Sequence, residues 1–234
     1  MSEGSHFRTV AEMRANPEWV RALDVNPKDG EAKSRRFDGS TRPSLVYEFV
    51  DKDAKLLELG PFGGPLTKEL QDNGYNRIST LDFIDLLELP DRSKLEAVGV
   101  VDFNRDTFPH QDNTFDAVVS FGMFEHLENP FHAAREAARV LKPGGVFVMA
   151  IPNVFHIVSK LVFLRRGMFP RWSYGNNHIS ILPHGVFEKT ILRDFKLKKT
   201  LYYKPFLHWL GAKAKYLPAN EWFSDYVAYV LVKK

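Results

Sequence analysis

A short apolar segment that runs through an acid into a glycine-rich turn most constrains how this chain can fold. In the stretch KLLELGPFGG, residues 55–64, three leucines surround Glu58, and three glycines follow within five residues. The leucines predict a buried strand, and glycine turns the backbone tightly without a side-chain clash. A strand, a glycine-rich turn and a helix form a nucleotide-binding arrangement, because bare backbone lets a ligand approach closely. An ordinary strand-to-helix turn explains the same ten residues, so the rest of the chain must separate the two interpretations.

Strand-like and helix-like segments alternate along the chain. The predicted strands cover residues 55–59, 77–81, 97–101, 115–120 and 146–152, and the predicted helices include 42–50, 65–73 and 129–141. Such alternation favours a mostly parallel sheet with right-handed crossovers. The closing stretches KLKKTLYYK and YVAYVLVKK predict two further strands in a hairpin, with the last strand antiparallel to its neighbours. The stretch KPGG, residues 142–145, is expected to stop the preceding helix and turn the chain.

Composition excludes several kinds of site. The chain has 234 residues, 44% hydrophobic and 26% charged, which is ordinary for a globular protein with a sizeable core. It has no cysteine, so disulfides, thiolate metal sites and cysteine nucleophiles are impossible. The first residues contain no apolar signal-peptide core, and the apolar run 154–164 is too short to span a bilayer. These features predict a cytoplasmic protein.

Charge is distributed unevenly along the chain. Residues 153–215 carry 12 Lys and Arg against two acids, whereas residues 1–152 carry 18 Lys and Arg against 25 acids. The basic segment also holds eleven aromatic residues. A basic, aromatic segment on an acidic body suggests an anionic partner, while the simpler alternative is a solvated basic face. Nucleic acid is not expected, because no RNA-binding motif is present and the net charge is only +3.

Several short motifs occur together in an order that resembles a known family. Glu58, Gly60 and Gly64 are followed by Asp82 and Asp102, and then by FDAVVS, EHLENP and LKPGG. This order and spacing is similar to that of class I S-adenosylmethionine-dependent methyltransferases, most of all the small bacterial type 11 and type 23 branches. The resemblance covers residues 55–152 well and the later residues more weakly. It implies an α/β fold: a Rossmann-like, seven-stranded, mostly parallel sheet with one antiparallel strand near the C-terminus and helices on both faces.

The resemblance also implies which residues bind S-adenosylmethionine, with S-adenosylhomocysteine as the product. The glycine turn would pass under the methionine part, Asp82 would accept both ribose hydroxyls, and Asp102 would take the adenine amine. One departure from the family pattern is Phe62, which stands where a middle glycine is expected. Turn, capping or core roles are the alternatives for the acids and aromatics. The full expected set is Glu58, Gly60, Pro61, Phe62, Gly64, Asp82, Phe83, Asp102, Phe103 and Ser120.

Glu125 and His126 follow the fourth predicted strand at the expected ligand edge. Ubiquinone-type O-methyltransferases have a similar E-x-x-E-H motif associated with a divalent metal, but Gly122 replaces the first glutamate here. Two ligands are few for a hard cation, so no metal is expected. His126 is the first candidate for a general base and His178 the second, since imidazole accepts protons near neutral pH. A structural role is the alternative for each histidine.

The acceptor should be bound outside the cofactor core. We divide a single methyltransferase domain into an N-terminal helical cap (1–50), a cofactor-binding core (51–152), a lid or acceptor segment with strand 6 (153–215) and a final strand (216–234). Arg165, Arg166 and Arg171 would meet an anionic or glycan-like acceptor, such as a sugar phosphate or a lipid-linked saccharide. The apolar stretch before them predicts a buried lid helix or, alternatively, a peripheral membrane contact.

The expected function is methyl transfer to a small-molecule or glycan-like acceptor, with O-methylation favoured. In-line displacement needs mainly positioning and exclusion of water, and a base helps when the nucleophile is a hydroxyl. Two other classes remain open. The chain could be a catalytically silent S-adenosylmethionine-binding module that regulates or scaffolds a partner. It could also be a nicotinamide-dependent dehydrogenase, against which the EHLENP and LKPGG motifs argue. The sequence does not fix the oligomeric state.

Overall fold

A seven-stranded mixed sheet forms the centre of the computed structural model, which describes residues 8–24, 36–37, 40–172, 177–202 and 217–234. The sheet order is β3-β2-β1-β4-β5-β7-β6, and only β7 runs antiparallel to its neighbours. The predicted fold class is therefore confirmed. The strands are β1 (Leu56–Leu59), β2 (Ile78–Asp82), β3 (Leu95–Val100), β4 (Phe115–Phe121), β5 (Leu141–Pro152), β6 (Phe195–Tyr202) and β7 (Tyr226–Lys233).

Helices cover both faces of the sheet and lie at its carboxyl edge. The α-helices are α1 (Val10–Ala15), α2 (Pro17–Asp24), α3 (Arg42–Phe49), α4 (Pro65–Asp72), α5 (Pro130–Val140), α6 (Ile157–Arg166) and α7 (His184–Asp194). Single 3₁₀ turns occupy Arg92–Lys94 and Phe124–His126, and Arg36–Phe37 pairs with Ser40–Thr41 in a two-residue antiparallel ladder. The helices predicted at 42–50, 65–73 and 129–141 are confirmed to within one residue at each end. Helix α7 was not predicted.

Alternation along the strands divides the core into two layers. Phe115 and Val118 of β4 pack with α5 and α7 on one face, whereas Ala117 and Val119 pack with α3 and α4 on the other. All four residues of β1 are buried, as expected for a central parallel strand that is covered on both sides. The central strands are therefore rigidly held, and their carboxyl ends form a fixed edge on which a site can be built.

The KPGG stretch differs from its prediction. Helix α5 does end before it, but residues 142–145 lie within β5, where the register against β4 shifts, rather than in a separate turn. A Cβ on Gly145 would lie 2.9 Å from the Lys142 carbonyl oxygen and 3.0 Å from the Asp116 carbonyl oxygen. Glycine therefore lets the bulged strand approach its neighbour closely.

The N-terminal helices pack against the loops that follow β1 and β2. Met13 and Val20 are buried in a small apolar cluster with Leu86, which Phe62 and Phe83 also contact. A capping box between Thr9 and Glu12 starts α1. Helices α1 and α2 thus lie against the loops at the carboxyl edge of the sheet, and a helical cap over residues 1–50 stays a prediction.

Helix α6 is not the buried lid helix that the sequence predicted. Ser159 is its only buried residue, whereas Leu161 and Leu164 are 58% and 81% exposed. Among the described helices, none has the length and apolar character needed to cross a bilayer. The part of the predicted sixth strand that follows Tyr202 lies outside the described residues.

Candidate active site

The glycine turn after β1 is held against the end of β2. Gly60, Phe62 and Gly64 all have positive φ angles, of 70°, 52° and 83°. The left-handed conformation is uncommon for a phenylalanine, yet the turn retains it at Phe62. The Phe62 N–H donates to Asp82 Oδ2 at 3.0 Å, and this bond joins the turn to β2. The aromatic residue at the expected glycine position therefore changes the side chain but keeps the glycine-like backbone.

The Asp82 carboxylate closes the end of β2. Its Oδ1 accepts the N–H of Phe83 at 2.7 Å, and its side chain is buried. Burial raises the pKa of Asp82 to about 6, although the N–H groups of Phe62, Phe83 and Ile84 oppose this shift. Each carboxylate oxygen can accept more than one hydrogen bond, so the group retains capacity for the two donors of a diol.

Glu58 lies beneath the turn and anchors it to α4. Thr67 Oγ1 donates to Glu58 Oε2 at 2.6 Å in the buried interior. Burial raises the pKa of Glu58 to about 7, with a smaller contribution from the neighbouring Asp82 charge. This contact gives Glu58 a structural role in shaping the turn, and a cofactor contact for Glu58 and Pro61 stays a prediction.

Asp102, the acid in the loop after β3, bonds to residues of the same loop. Asp102 Oδ1 accepts hydrogen bonds from both the backbone and the side-chain nitrogen of Asn104, each at 3.0 Å, and Arg105 Nε lies 3.0 Å from Oδ2. Phe103 is fully buried, and its ring meets Phe108 edge-on with centroids 5.7 Å apart. Phe103 is therefore a core residue, whereas Phe83 remains at the carboxyl edge of the sheet.

Side chains from two distant stretches meet beyond β4. The N–H groups of Ile179 and Ser180 donate to the Glu125 carbonyl oxygen at 2.8 and 3.0 Å. His126 Nδ1 lies 3.1 Å from the Asn177 carbonyl oxygen, and the rings of His126 and His178 are 4.6 Å apart. Glu125, His126 and His178 each offer a ligand atom, and all of these atoms lie within 4.8 Å of one another. Residue spacing gave no signal for this third potential ligand, because His178 lies some fifty residues further along the chain.

The two candidate bases differ in their surroundings. Burial, together with smaller contributions from the nearby His126 and Arg171, lowers the pKa of His178 to about 3. His178 is therefore neutral at physiological pH and a weak base. The half-buried His126 lies on the 3₁₀ turn directly after β4, so it is better placed at the ligand edge.

A narrow cleft, about 20 Å³ in volume, lies between the ends of β4 and β5, Trp172 and residues 180–182. Aromatic and aliphatic side chains dominate its lining, with Glu125 and Asn153 among the polar exceptions. Asn153 Nδ2 donates to the carbonyl oxygens of Glu221 and Ser224, both at 2.7 Å, which ties the end of β5 to the residues before β7. The principal apolar residues of the lining are Phe124, Ile151, Phe155, Trp172, Val227 and Tyr229.

The three arginines do not act together at this cleft, so that expectation is corrected. Arg171 forms a two-pronged ion pair with Asp225, and its guanidinium stacks 4.6 Å above the Tyr226 ring. Arg165 and Arg166 lie in the exposed last turn of α6. Arg171 is thus used to dock the acceptor segment on β7, because its charge is already balanced.

The residues at the carboxyl edge fit S-adenosylmethionine. The turn and Asp82 offer backbone and carboxylate groups at the ends of neighbouring strands. Ser120, at the end of β4, contributes a buried hydroxyl whose oxygen has no hydrogen-bond partner among the described residues. A buried polar atom without a partner is costly, so this hydroxyl is suited to a polar ligand group.

The site lies in a part of the chain that resembles a known family. Residues 57–149 match the family model described as "Methyltransferase domain". The match covers less than half of the chain. The match spans the glycine turn and most of the first five strands of the sheet.

Relatives and solved structures are similar to larger parts of the chain. A ubiquinone biosynthesis O-methyltransferase from Xanthomonas oryzae pv. oryzae is 30% identical over 131 residues, or 53% of this chain and 54% of that protein. The chain therefore spans about half the length of this curated relative. The N-methyltransferase NodS from Bradyrhizobium japonicum, solved with S-adenosylhomocysteine, has a TM-score of 0.59 and 14% identity, covering 94% of this chain and 98% of NodS.

A third comparison limits what the fold alone shows. The [4+2]-cyclase SpnF has a TM-score of 0.65 at 17% identity and covers 97% of both chains. A fold shared by a methyltransferase and a cyclase does not determine the reaction, so function must be argued from the site.

Proposed function

We propose that the protein is an S-adenosylmethionine-dependent methyltransferase that methylates a hydroxyl of a small, apolar, ring-containing acceptor. The observation that carries the proposal is the Asp82 carboxylate, which the glycine turn holds at the end of β2. A carboxylate at that point suits the two hydroxyls of a ribose. The methyltransferase-domain match over residues 57–149 supports the same ligand.

The residues at the carboxyl edge would divide the work of holding the cofactor. Asp82 would bind the ribose hydroxyls, the turn from Gly60 to Gly64 would lie under the methionine part, and Ser120 would satisfy a polar group near β4. Asp102 would take the adenine amine with the acceptor capacity that Asn104 and Arg105 leave. S-adenosylmethionine, when bound, supplies a methyl group on a positively charged sulfur. The protein's contribution is then to orient the acceptor and exclude water.

The lining of the cleft supports an apolar acceptor over an anionic one. Trp172, Phe155 and Tyr229 offer aromatic surface, while Arg171 is already paired with Asp225. An aromatic lining favours a flat, uncharged ring. This lining therefore favours a phenol over a sugar phosphate. The printed name of the Xanthomonas relative, an O-methyltransferase, is consistent with a hydroxyl acceptor.

His126 is the proposed general base. Its Nδ1 contacts the Asn177 carbonyl oxygen, which fixes the orientation of the ring and leaves Nε2 for a substrate proton. The low pKa of His178 argues against its use as the base. Glu125 and His178 would then support the ring of His126 in its position.

A transfer assay with methyl-labelled S-adenosylmethionine tests the proposal on two acceptor sets: catechol-type phenols, and sugar phosphates with sugar nucleotides. We expect label to reach the phenols, and His126→Asn to lower kcat by about 10²-fold or more without changing the affinity for S-adenosylhomocysteine. His132→Asn on the exposed side of α5 is the matched control and should retain full kcat.

Three outcomes would contradict parts of this account. Labelled sugar phosphates with unlabelled phenols would reject the apolar acceptor. Full activity of His126→Asn would reject the base. Tight binding of S-adenosylhomocysteine without transfer to any acceptor would favour the silent binding module instead.

A further inference from the structure

The outward face of α6 carries an exposed apolar strip flanked by cations. Leu161 and Leu164, three residues apart on the helix, lie on the side opposite the buried Ser159. At helical spacing, Lys160 and Arg165 flank these leucines on either side. The helix contains no acid. Contiguous exposed leucines cost free energy in water, so a helix that presents them usually has a partner.

A tryptophan extends this face beyond the helix. Trp222 is 51% exposed and lies beside the start of α6, where its carbonyl oxygen accepts the Ile157 N–H at 2.8 Å. Lys160 Nζ lies 3.7 Å above the Trp222 ring. Tryptophan and lysine are both amphipathic and place a polar tip at the boundary between water and hydrocarbon. We call the surface formed by Lys160, Leu161, Leu164, Arg165 and Trp222 the α6 face.

We propose that the α6 face docks the protein on an anionic lipid surface, with Leu161, Leu164 and Trp222 entering the headgroup region. The charge pattern selects this occupant. The face has two cations and no acid, and residues 153–215 of the sequence carry 12 Lys and Arg against two acids. Amphipathic helices with Trp or Leu on one face and basic residues on the other lie in the membrane interface, and each basic residue near the surface adds attraction to anionic lipid.

Docking here would place the cleft near the membrane. Helix α6 begins directly after residues 153–156, which follow the end of β5, and residues 153–155 line the cleft. An apolar acceptor that partitions into lipid could then reach the cleft without crossing bulk water. The docking itself does not depend on the proposed reaction.

Vesicle sedimentation tests this proposal, with pure phosphatidylcholine vesicles compared with a mixture of phosphatidylcholine and phosphatidylglycerol. We expect the wild-type protein to partition onto the anionic vesicles and to be released by salt. The double substitution Leu161→Glu and Leu164→Glu should weaken this partition by about tenfold or more. Lys160→Ala with Arg165→Ala should remove the preference for anionic vesicles while leaving both leucines in place.

A matched control is available at the far edge of the sheet. Val98 and Val100 are exposed on β3, so Val98→Glu with Val100→Glu makes the same change in charge away from the α6 face. This control should partition like the wild type. Binding of S-adenosylhomocysteine and the thermal midpoint, measured for every variant, separate lost docking from lost folding or lost cofactor binding.

The proposal is overturned if the wild-type protein binds neither vesicle, or if the Leu161→Glu, Leu164→Glu variant binds as well as the wild type. Equal binding to both vesicles with no effect of the Lys160→Ala, Arg165→Ala substitutions would reject the anionic partner. A wild-type dimer that the two leucine substitutions dissociate in sedimentation equilibrium would assign the α6 face to a second copy of the chain and would also overturn the proposal.

Discussion

Two regions of this molecule are built in different ways: the proposed cofactor edge, at the ends of β1 and β2, and the proposed acceptor side, around Glu125 and Arg171. At the cofactor edge, the turn from Gly60 to Gly64 and the acid Asp82 each follow a buried parallel strand, so their positions depend on backbone register. On the acceptor side, Glu125 meets His178 and Arg171 meets Asp225 across more than fifty residues of sequence. Local motifs therefore define the first region, whereas tertiary docking of separate segments defines the second.

The largest expected effect is on stability, through the ion pair between Arg171 and Asp225. Arg171→Ala leaves the Asp225 carboxylate without its partner in a site where both side chains are mostly buried, and it also removes the contact with Tyr226. We expect the free energy of unfolding to fall by about 3 kcal/mol, measured by urea denaturation. Arg165→Ala with Arg166→Ala, on exposed positions, should change it by about 0.5 kcal/mol or less. Equal effects of the two changes would show that the ion pair does not hold the segment.

The next effect concerns the cofactor edge. Asp82→Ala removes the carboxylate acceptor for two hydroxyl donors, so binding of S-adenosylhomocysteine should weaken by about 1–3 kcal/mol in calorimetry. Asp85→Ala, in the same loop but on an exposed side chain paired with Arg92, is the matched control and should bind normally. An unchanged affinity of the Asp82 variant would reject the role assigned to this carboxylate.

Prediction from sequence succeeded for the positions of strands and turns, which depend on backbone structure. Alternating apolar runs identified five of the core strands to within two residues at most ends, and the order of glycine and acid clusters indicated the ligand edge. Phe62 preserved the turn despite replacing a glycine, since its N–H, rather than its side chain, joins Asp82.

Prediction failed where side chains from distant segments meet. Arg171 was grouped with Arg165 and Arg166, because the sequence alone does not show that Arg171 pairs with Asp225. Only two potential metal ligands were recognised, because His178 lies near Glu125 only in the folded chain. Helix α6 was also treated as buried from its apolar composition, although the helix turns Leu161 and Leu164 outward.

Acidification should weaken cofactor binding at the carboxyl edge of the sheet. The ionised form of Asp82 accepts hydroxyl donors, and its pKa lies near 6, above the ordinary value for an aspartate. Lowering the pH from 7.5 to 5 protonates Asp82 in the ligand-free protein. Binding of S-adenosylhomocysteine should therefore weaken by about tenfold. Asp82→Asn should flatten this profile around pH 6. A flat wild-type profile would show that the protonation state of Asp82 does not affect binding.

Removal of magnesium should have no effect on the acceptor side. Glu125, His126 and His178 offer two imidazoles and one carboxylate, whereas Mg²⁺ prefers a shell of oxygen ligands. We therefore predict that methyl transfer in a chelator equals that in added magnesium. Loss of activity that magnesium restores would contradict the prediction, and restoration by zinc alone would assign these three residues to a transition metal.

The most direct test of the central claim is a calorimetric titration of the wild-type protein with S-adenosylhomocysteine and, separately, with NAD. The account predicts saturable binding of one S-adenosylhomocysteine per chain and no binding of NAD, because Asp82 and the turn after β1 are proposed to form a site for a nucleoside with a methionine tail. Binding of NAD without binding of S-adenosylhomocysteine would contradict the account and restore the dehydrogenase interpretation.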